Sequence, residues 1–185
     1  MTEGVGVGEH PTPVAAAPPS GDEVGGAQVR LFLSTYVNKV DRKGRVSVPA
    51  PFRTVLSGQN SAGIVAYPAF KHPAINCSGL AWVDEMAALL ETVPEFSDEY
   101  DKIASIFPEM KELSFDPEGR IVLPEEMIEL AGITDSVAFV GLSKTFQIWE
   151  PEAHKAHQDA MRLLKREQGL AVPAARAIAP AGGAQ

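Results

Sequence analysis

The chain has 185 residues, 45% of them hydrophobic and 22% charged, with a formal net charge of −8. That is enough apolar mass for one or two small cores. No run approaches the roughly 20 apolar residues of a membrane span, and the lone Cys77 excludes an intrachain disulfide framework or a multi-cysteine zinc site within one subunit.

A pI of about 5.0 argues, on average, against a nucleic-acid partner. The average hides a compact basic block. Residues 30–57 carry Arg30, Lys39, Arg42, Lys43, Arg45 and Arg53 against Asp41 alone, whereas residues 85–119 carry ten acids and two bases. A basic patch within an acidic chain is where a binding site is sought.

Residues 1–29 are rich in Gly, Pro and Ala, without an aromatic residue or a periodic pattern. They are expected to form a disordered tail, as are residues 169–185, because neither segment can bury enough surface to offset its ordering entropy. The opening residues hold no basic block followed by an apolar one, so no secretory signal is expected and a reduced cytosolic compartment is.

Between the tails lies an internal repeat at a constant offset of 75 residues: VDRKGRVSVPAPFRTVL (40–56) and FDPEGRIVLPEEMIELA (115–131). Asp41, Gly44, Arg45 and Pro49 align with Asp116, Gly119, Arg120 and Pro124; the apolar Val40, Val46, Val48 and Phe52 align with Phe115, Ile121, Leu123 and Met127. In the first copy, residues 31–40 predict a strand, 41–44 a turn and 45–48 a second strand with Val46 and Val48 facing inward. Gly44 suits a positive φ, and Asp41 can accept the loop's own N–H groups. Pro49 stops the ladder; Pro51 fits the first turn of a helix through Leu56, with Phe52 and Leu56 on its buried side, and Gly58 is expected to end it. The second copy predicts the same series, with a helix at 125–131 stopped by Gly132.

Residues 63–70 predict a strand matching 136–142, which forms a hairpin with 144–150. Residues 77–83 read as a strand running into a helix at 83–93, with Met86, Leu89, Leu90 and Val93 on one face. A short helix is predicted over 97–107 and a last one over 151–168. The domain boundaries that follow are 30–83, a helical linker 84–110, 111–153, and a C-terminal helix from 154 to 168.

The repeated D-x-x-G-R turn presents an arginine at its exit, a planar fork suited to phosphate or to guanine in the major groove. On spacing alone the same turn reads equally as a solvated loop in which Asp41 pairs with Arg45. The concentration of Lys39, Arg42, Lys43, Arg45 and Arg53 favours the binding reading. In the second copy Pro117 and Glu118 replace Arg42 and Lys43, and only Arg120 stays positive. The first copy is therefore expected to bind and the second to support fold and assembly. His154 and His157 read as solvated helix polars; His72 and Cys77 lack a third orienting group for nucleophilic chemistry. No catalytic constellation, metal site or cofactor motif stands out, so a non-enzymatic protein is expected.

The segments DRKGRVSVPAPFR (41–53), DPEGRIVLPEEMIELAGI (116–133) and VAFVGLSKTFQIWE (137–150) resemble the MraZ family of transcriptional regulators, over about residues 31–165. That resemblance implies a mixed, β-rich fold of two tandem AbrB-like (SpoVT-AbrB) swapped-hairpin modules with intervening and C-terminal helices. It implies a repressor that binds double-stranded DNA at short direct repeats in its own promoter, that of the division and cell-wall gene cluster. Ring-like homo-oligomers and a cytoplasmic, nucleoid-associated location are also implied. The DNA-binding positions it suggests are Arg42, Lys43 and Arg45, with Arg120 a weaker one; the basic turn itself adds Lys39 and Gly44 as candidates, on turns shaped by Asp41, Asp116 and Gly119. Two features depart from the family's pattern: the long N-terminal segment and the cation-poor stretch 95–118. An AbrB-type antitoxin and a protein-interaction scaffold are the alternatives; the duplication counts against the first, because such antitoxins usually hold one module.

Overall fold

The computed structural model describes residues 31–169; the expected tails, Gly169 apart, lie outside the described residues. The first copy contributes β1 (Thr35–Lys39), β2 (Arg45–Ser47), α1 (Ala50–Gly58), β3 (Gly63–Pro68), β4 (Ala74–Ser78) and α2 (Leu80–Glu91). After α3 (Asp98–Ala104) and a 3-10 turn (Phe107–Glu109), the second contributes β5 (Lys111–Ser114), β6 (Arg120–Val122), α4 (Glu125–Ala131), β7 (Ser136–Leu142), β8 (Thr145–Trp149) and α5 (Pro151–Gln168).

The strands form one six-stranded antiparallel sheet, ordered β1-β7-β8-β4-β3-β5, and a separate two-stranded ribbon, β2-β6. Exchanging the copies (β1 for β5, β3 for β7, β4 for β8) reverses the sheet order and leaves it unchanged, so the fold has a pseudo-twofold axis between β4 and β8. Each copy lends its first strand to the other: β1 pairs with β7, and β5 with β3. The ribbon likewise takes one strand from each copy. A swapped arrangement of this kind buries the apolar face of both copies in one core. The residues aligned by the repeat are buried alike: Val46 and Ile121 are each 1% exposed, Val48 and Leu123 each 2%.

The local departures from the sequence reading have physical causes. The strand expected from residue 31 begins at Thr35, because Ser34 adopts φ +71° and its carbonyl accepts the Gly141 N–H, kinking the chain after the buried Phe32. Helix α1 runs through Gly58 instead of ending before it, and is closed by the Gln59 N–H on the Leu56 carbonyl. Helix α2 begins at Leu80, not residue 83. Its N–H is capped by the Ser61 hydroxyl, 3.1 Å away, a partner remote in sequence. The α2 face predicted to be buried has no fully buried residue, and Leu89 is exposed. The helix expected over 97–107 is α3 followed by the 3-10 turn, with the Ser97 hydroxyl accepting the Tyr100 N–H at the start of α3.

The histidines of α5 correct the reading of them as solvated. His154 is buried, and His157 stacks on Trp149 with ring centroids 5.1 Å apart; His72 lies 4.4 Å from His157. Burial, then the neighbouring His157, lowers the pKa of His154 below 6.5. A histidine whose folded pKa is depressed stabilises the fold above the unfolded value, and that contribution is lost as pH falls through the folded pKa. The thermal midpoint is therefore expected to fall between pH 8 and pH 5, and the difference to shrink in His154→Phe. A differential scanning calorimetry series at several pH values checks both.

Candidate nucleic-acid interface

The two D-x-x-G-R turns have the same architecture, bond for bond. In the first, the Asp41 carboxylate accepts the backbone N–H groups of Lys43 (2.9 Å) and Arg45 (3.0 Å) on one oxygen and the Arg45 Nε on the other (2.7 Å). In the second, Asp116 accepts the N–H groups of Glu118 (3.0 Å) and Arg120 (2.8 Å), and the Arg120 Nε (2.6 Å). Gly44 and Gly119 close these loops at φ +74° and +73°, the left-handed region that side chains rarely adopt. Asp41, Asp116, Gly44 and Gly119 thus hold the turn-shaping places that their residue types suggest.

The carboxylates are held ionised. The Arg45 backbone N–H is the largest cause lowering the Asp41 pKa below 3.8. For Asp116, burial pushes upward, but the N–H and guanidinium of Arg120 outweigh it and the pKa is again lowered. Both turns therefore keep their shape at neutral and mildly acid pH and lose these contributions only as pH falls below the ordinary carboxylate range.

Antiparallel pairing of β2 with β6 sets Arg45 opposite Val122 and Ser47 opposite Arg120. Directly opposed residues share a face, so both arginines project from the outer side of the ribbon while Val46 and Ile121 fill its inner side. The ribbon gathers arginines that lie 75 positions apart in the chain. Their electrostatics differ. The Arg45 side chain, 38% exposed, pairs with Asp41 through its Nε–Nη2 edge, which leaves the Nη1–Nη2 end of the fork for a second acceptor. Arg120 pairs with Asp116 and also with Glu118 at 3.0 Å. Its pKa is raised, first by the hydrogen bond to Asp116, then by the charges of Asp116, Glu118 and Asp41. From Lys39 to Arg45 the first turn carries four cations and one acid; the equivalent stretch 114–120 carries one cation and two acids.

Arg42 and Lys43 are exposed at the tip of the first turn. Lys39 is exposed too, but it lies on the face of β1 opposite Asn38, whose amide donates to the Ser47 carbonyl of the ribbon. Arg42, Lys43 and Arg45 follow one another around the first turn, and Lys39 lies at the end of β1 leading into it.

Three residues beyond the suggested positions also shape the interface. Asn38 ties β1 to β2. Arg53 donates from Nε to the Val48 carbonyl (3.1 Å), and its guanidinium lies where a Gly119 side chain would be. Ile128, the residue aligned with Arg53, covers Gly44 in the same way. The repeat alignment pairs Arg53 with Ile128, but their crossed seating on the opposite turn is a tertiary fact. Cys77, by contrast, is fully buried and burial pushes its thiol pKa well up, while His72 packs against Trp149 and His157. Among the described residues no helix is long and apolar enough to cross a membrane.

Residues 106–175 match a family model described as "MraZ protein, putative antitoxin-like". The chain is 46% identical over 127 residues to the transcriptional regulator MraZ of Xanthobacter autotrophicus, covering 68% of this chain and 81% of that protein. It is 38% identical over 143 residues to the transcriptional regulator MraZ of Rickettsia rickettsii, covering 77% and 96%. The Rickettsia felis protein of the same name is 37% identical over 143 residues. Such identity over nearly whole relatives, joined to a β-rich fold built from two copies of one turn–ribbon–helix unit, identifies the chain as a member of the MraZ family of transcriptional regulators.

Proposed function

We propose that this regulator binds double-stranded DNA through the first turn and the outer face of the β2–β6 ribbon, with Arg42, Lys43 and Arg45 as the principal contacts. The observation that carries this reading is the exposed cationic turn at the end of a two-stranded ribbon, in a chain whose overall charge is negative. A two-stranded ribbon fits the major groove, where an arginine fork can bond guanine O6 and N7 while lysines engage phosphates. Arg120 contributes less, because Asp116 and Glu118 already share its donors.

The chain acts as a repressor at direct repeats in its own promoter, that of the division and cell-wall gene cluster, and residues 30–83 and 111–153 are its two modules. Several copies in a ring-like homo-oligomer, joined through apolar side chains left exposed on the helices such as Leu163 and Leu164, place equivalent turns at fixed intervals. Repeated DNA sites of matching spacing then add avidity that one small patch lacks.

Two experiments test the reading. Protection mapping on DNA upstream of the gene should show footprints recurring at the repeat interval; uniform protection of unrelated DNA would contradict it. A salt titration should give a steep log–log slope, and Lys43→Gln should flatten it by about 0.9 per engaged turn. An unchanged slope would remove Lys43 from the contact.

A further inference from the structure

We infer that Ile128, on helix α4 of the acidic copy, is a positioning residue for the DNA-facing turn of the basic copy. This rests on the first turn being the DNA contact. The geometry is specific. A Cβ built on Gly44 would lie 3.3 Å from the Ile128 Cδ1 and 2.9 Å from the Leu123 carbonyl, so the α4 side chain closes directly over the glycine. The backbone follows the same route, with the Leu123 N–H donating to the Gly44 carbonyl at 2.9 Å. Ile128 is half-buried and packs against the core cluster, which fixes its own position.

Within the first turn Asp41 accepts from Lys43 and Arg45, and the Gly44 N–H donates to the Asp41 carbonyl; at its base the Asp41 N–H donates to the Arg45 carbonyl and the Val40 N–H to the Asp135 carbonyl of the other copy. Those bonds define the loop's shape and tie it to its own strand β2, but they do not seat it against β6 or α4. The Ile128 side chain and the Leu123 bond supply that seating. On the other side of the pseudo-twofold axis, Arg53 and the Val48 N–H do the same for Gly119. Each turn is therefore seated by the opposite copy. A turn held in place before binding loses less conformational freedom when it meets DNA.

The surgical variant is Ile128→Val, which removes the methyl group that fills the space beside Gly44 and changes no charge. Operator DNA affinity should fall roughly five-fold, the scale of one lost methyl contact, with the salt-titration slope unchanged because the number of cations facing phosphate is the same. Hydrogen exchange at the Gly44 amide should quicken in the free protein, while the amides of β7 and β8 stay as protected as in the parent. Ile128→Met, which restores reach over the glycine, should recover most of the affinity. Met127→Leu is the control: it perturbs the buried face of the same helix and should leave affinity unchanged.

Parental affinity in Ile128→Val would overturn the inference, as would an equal loss in Met127→Leu or a flattened salt slope. Arg45→Ala, measured alongside, separates the two levels of the argument. If it too binds like the parent, the DNA reading of the turn has failed; if it alone loses binding, only the seating role has.

Discussion

Arg45→Ala is expected to lose most operator binding, by roughly 5- to 150-fold per engaged turn, while Arg120→Ala loses a few-fold at most. A bidentate arginine–guanine contact is worth about 1–3 kcal/mol, and in an oligomer that grips several sites the losses at each turn compound. The variant is a clean test because the turn does not need the guanidinium to fold. Asp41 still accepts the backbone N–H groups of residues 43 and 45, and the Asp41 N–H still donates to the residue-45 carbonyl. The side chain is also substantially exposed, so no cavity is made. Arg120 offers a contrast on the same ribbon face: its fork is engaged by Asp116 and Glu118, and a phosphate arriving there would meet two carboxylates. Gel-shift titrations of both variants beside the parent decide the matter. Equal affinity for Arg45→Ala and the parent would place the interface elsewhere.

Phe52→Ala is expected to cost about 3–5 kcal/mol of stability, a large share of the total for a domain this size. Phe52 is 1% exposed and stands at the centre of an aromatic cluster that joins the copies. Its ring lies 5.2 Å from Phe32 and 5.5 Å from Tyr36 in its own copy, and 5.1 Å from Phe146 and 6.3 Å from Phe139 in the other. Truncation removes edge-to-face contacts as well as apolar area and leaves a cavity in a core that cannot close around it. Because β1 pairs with β7 and β5 with β3, neither copy can keep its own sheet when the other opens. Urea unfolding should therefore stay a single transition, shifted to lower concentration in the variant. Two separated transitions would show the copies to be independent.

Much of this architecture is legible in the repeat. A 75-residue offset that preserves Asp, Gly, Arg and Pro together with apolar parity implies two copies of one unit, and the turns, ribbon strands and helices fall where those residues require. The departures occur where a partner is distant in sequence. The N-cap residue of α2, Gly79, has no side chain to cap it and the neighbouring Ser78 hydroxyl does not do so, so the helix start has no local signal; Ser61 supplies the cap. The α5 histidines lie among charged residues on a polar-looking helix, yet both pack against Trp149 and His157 also against His72.

Composition, charge segregation and the repeat by themselves determined that this chain holds a duplicated β unit and that its cations gather at the first turn, because turn chemistry and hydrophobic parity are local properties. Only the tertiary structure decided that each copy completes the other's sheet, that Arg45 and Arg120 share one ribbon face, and that Ile128 and Arg53 cross over to seat the opposite turns. Those facts depend on which strands pair and in what register, and pairing between segments 75 residues apart is settled by how two apolar faces exclude water together.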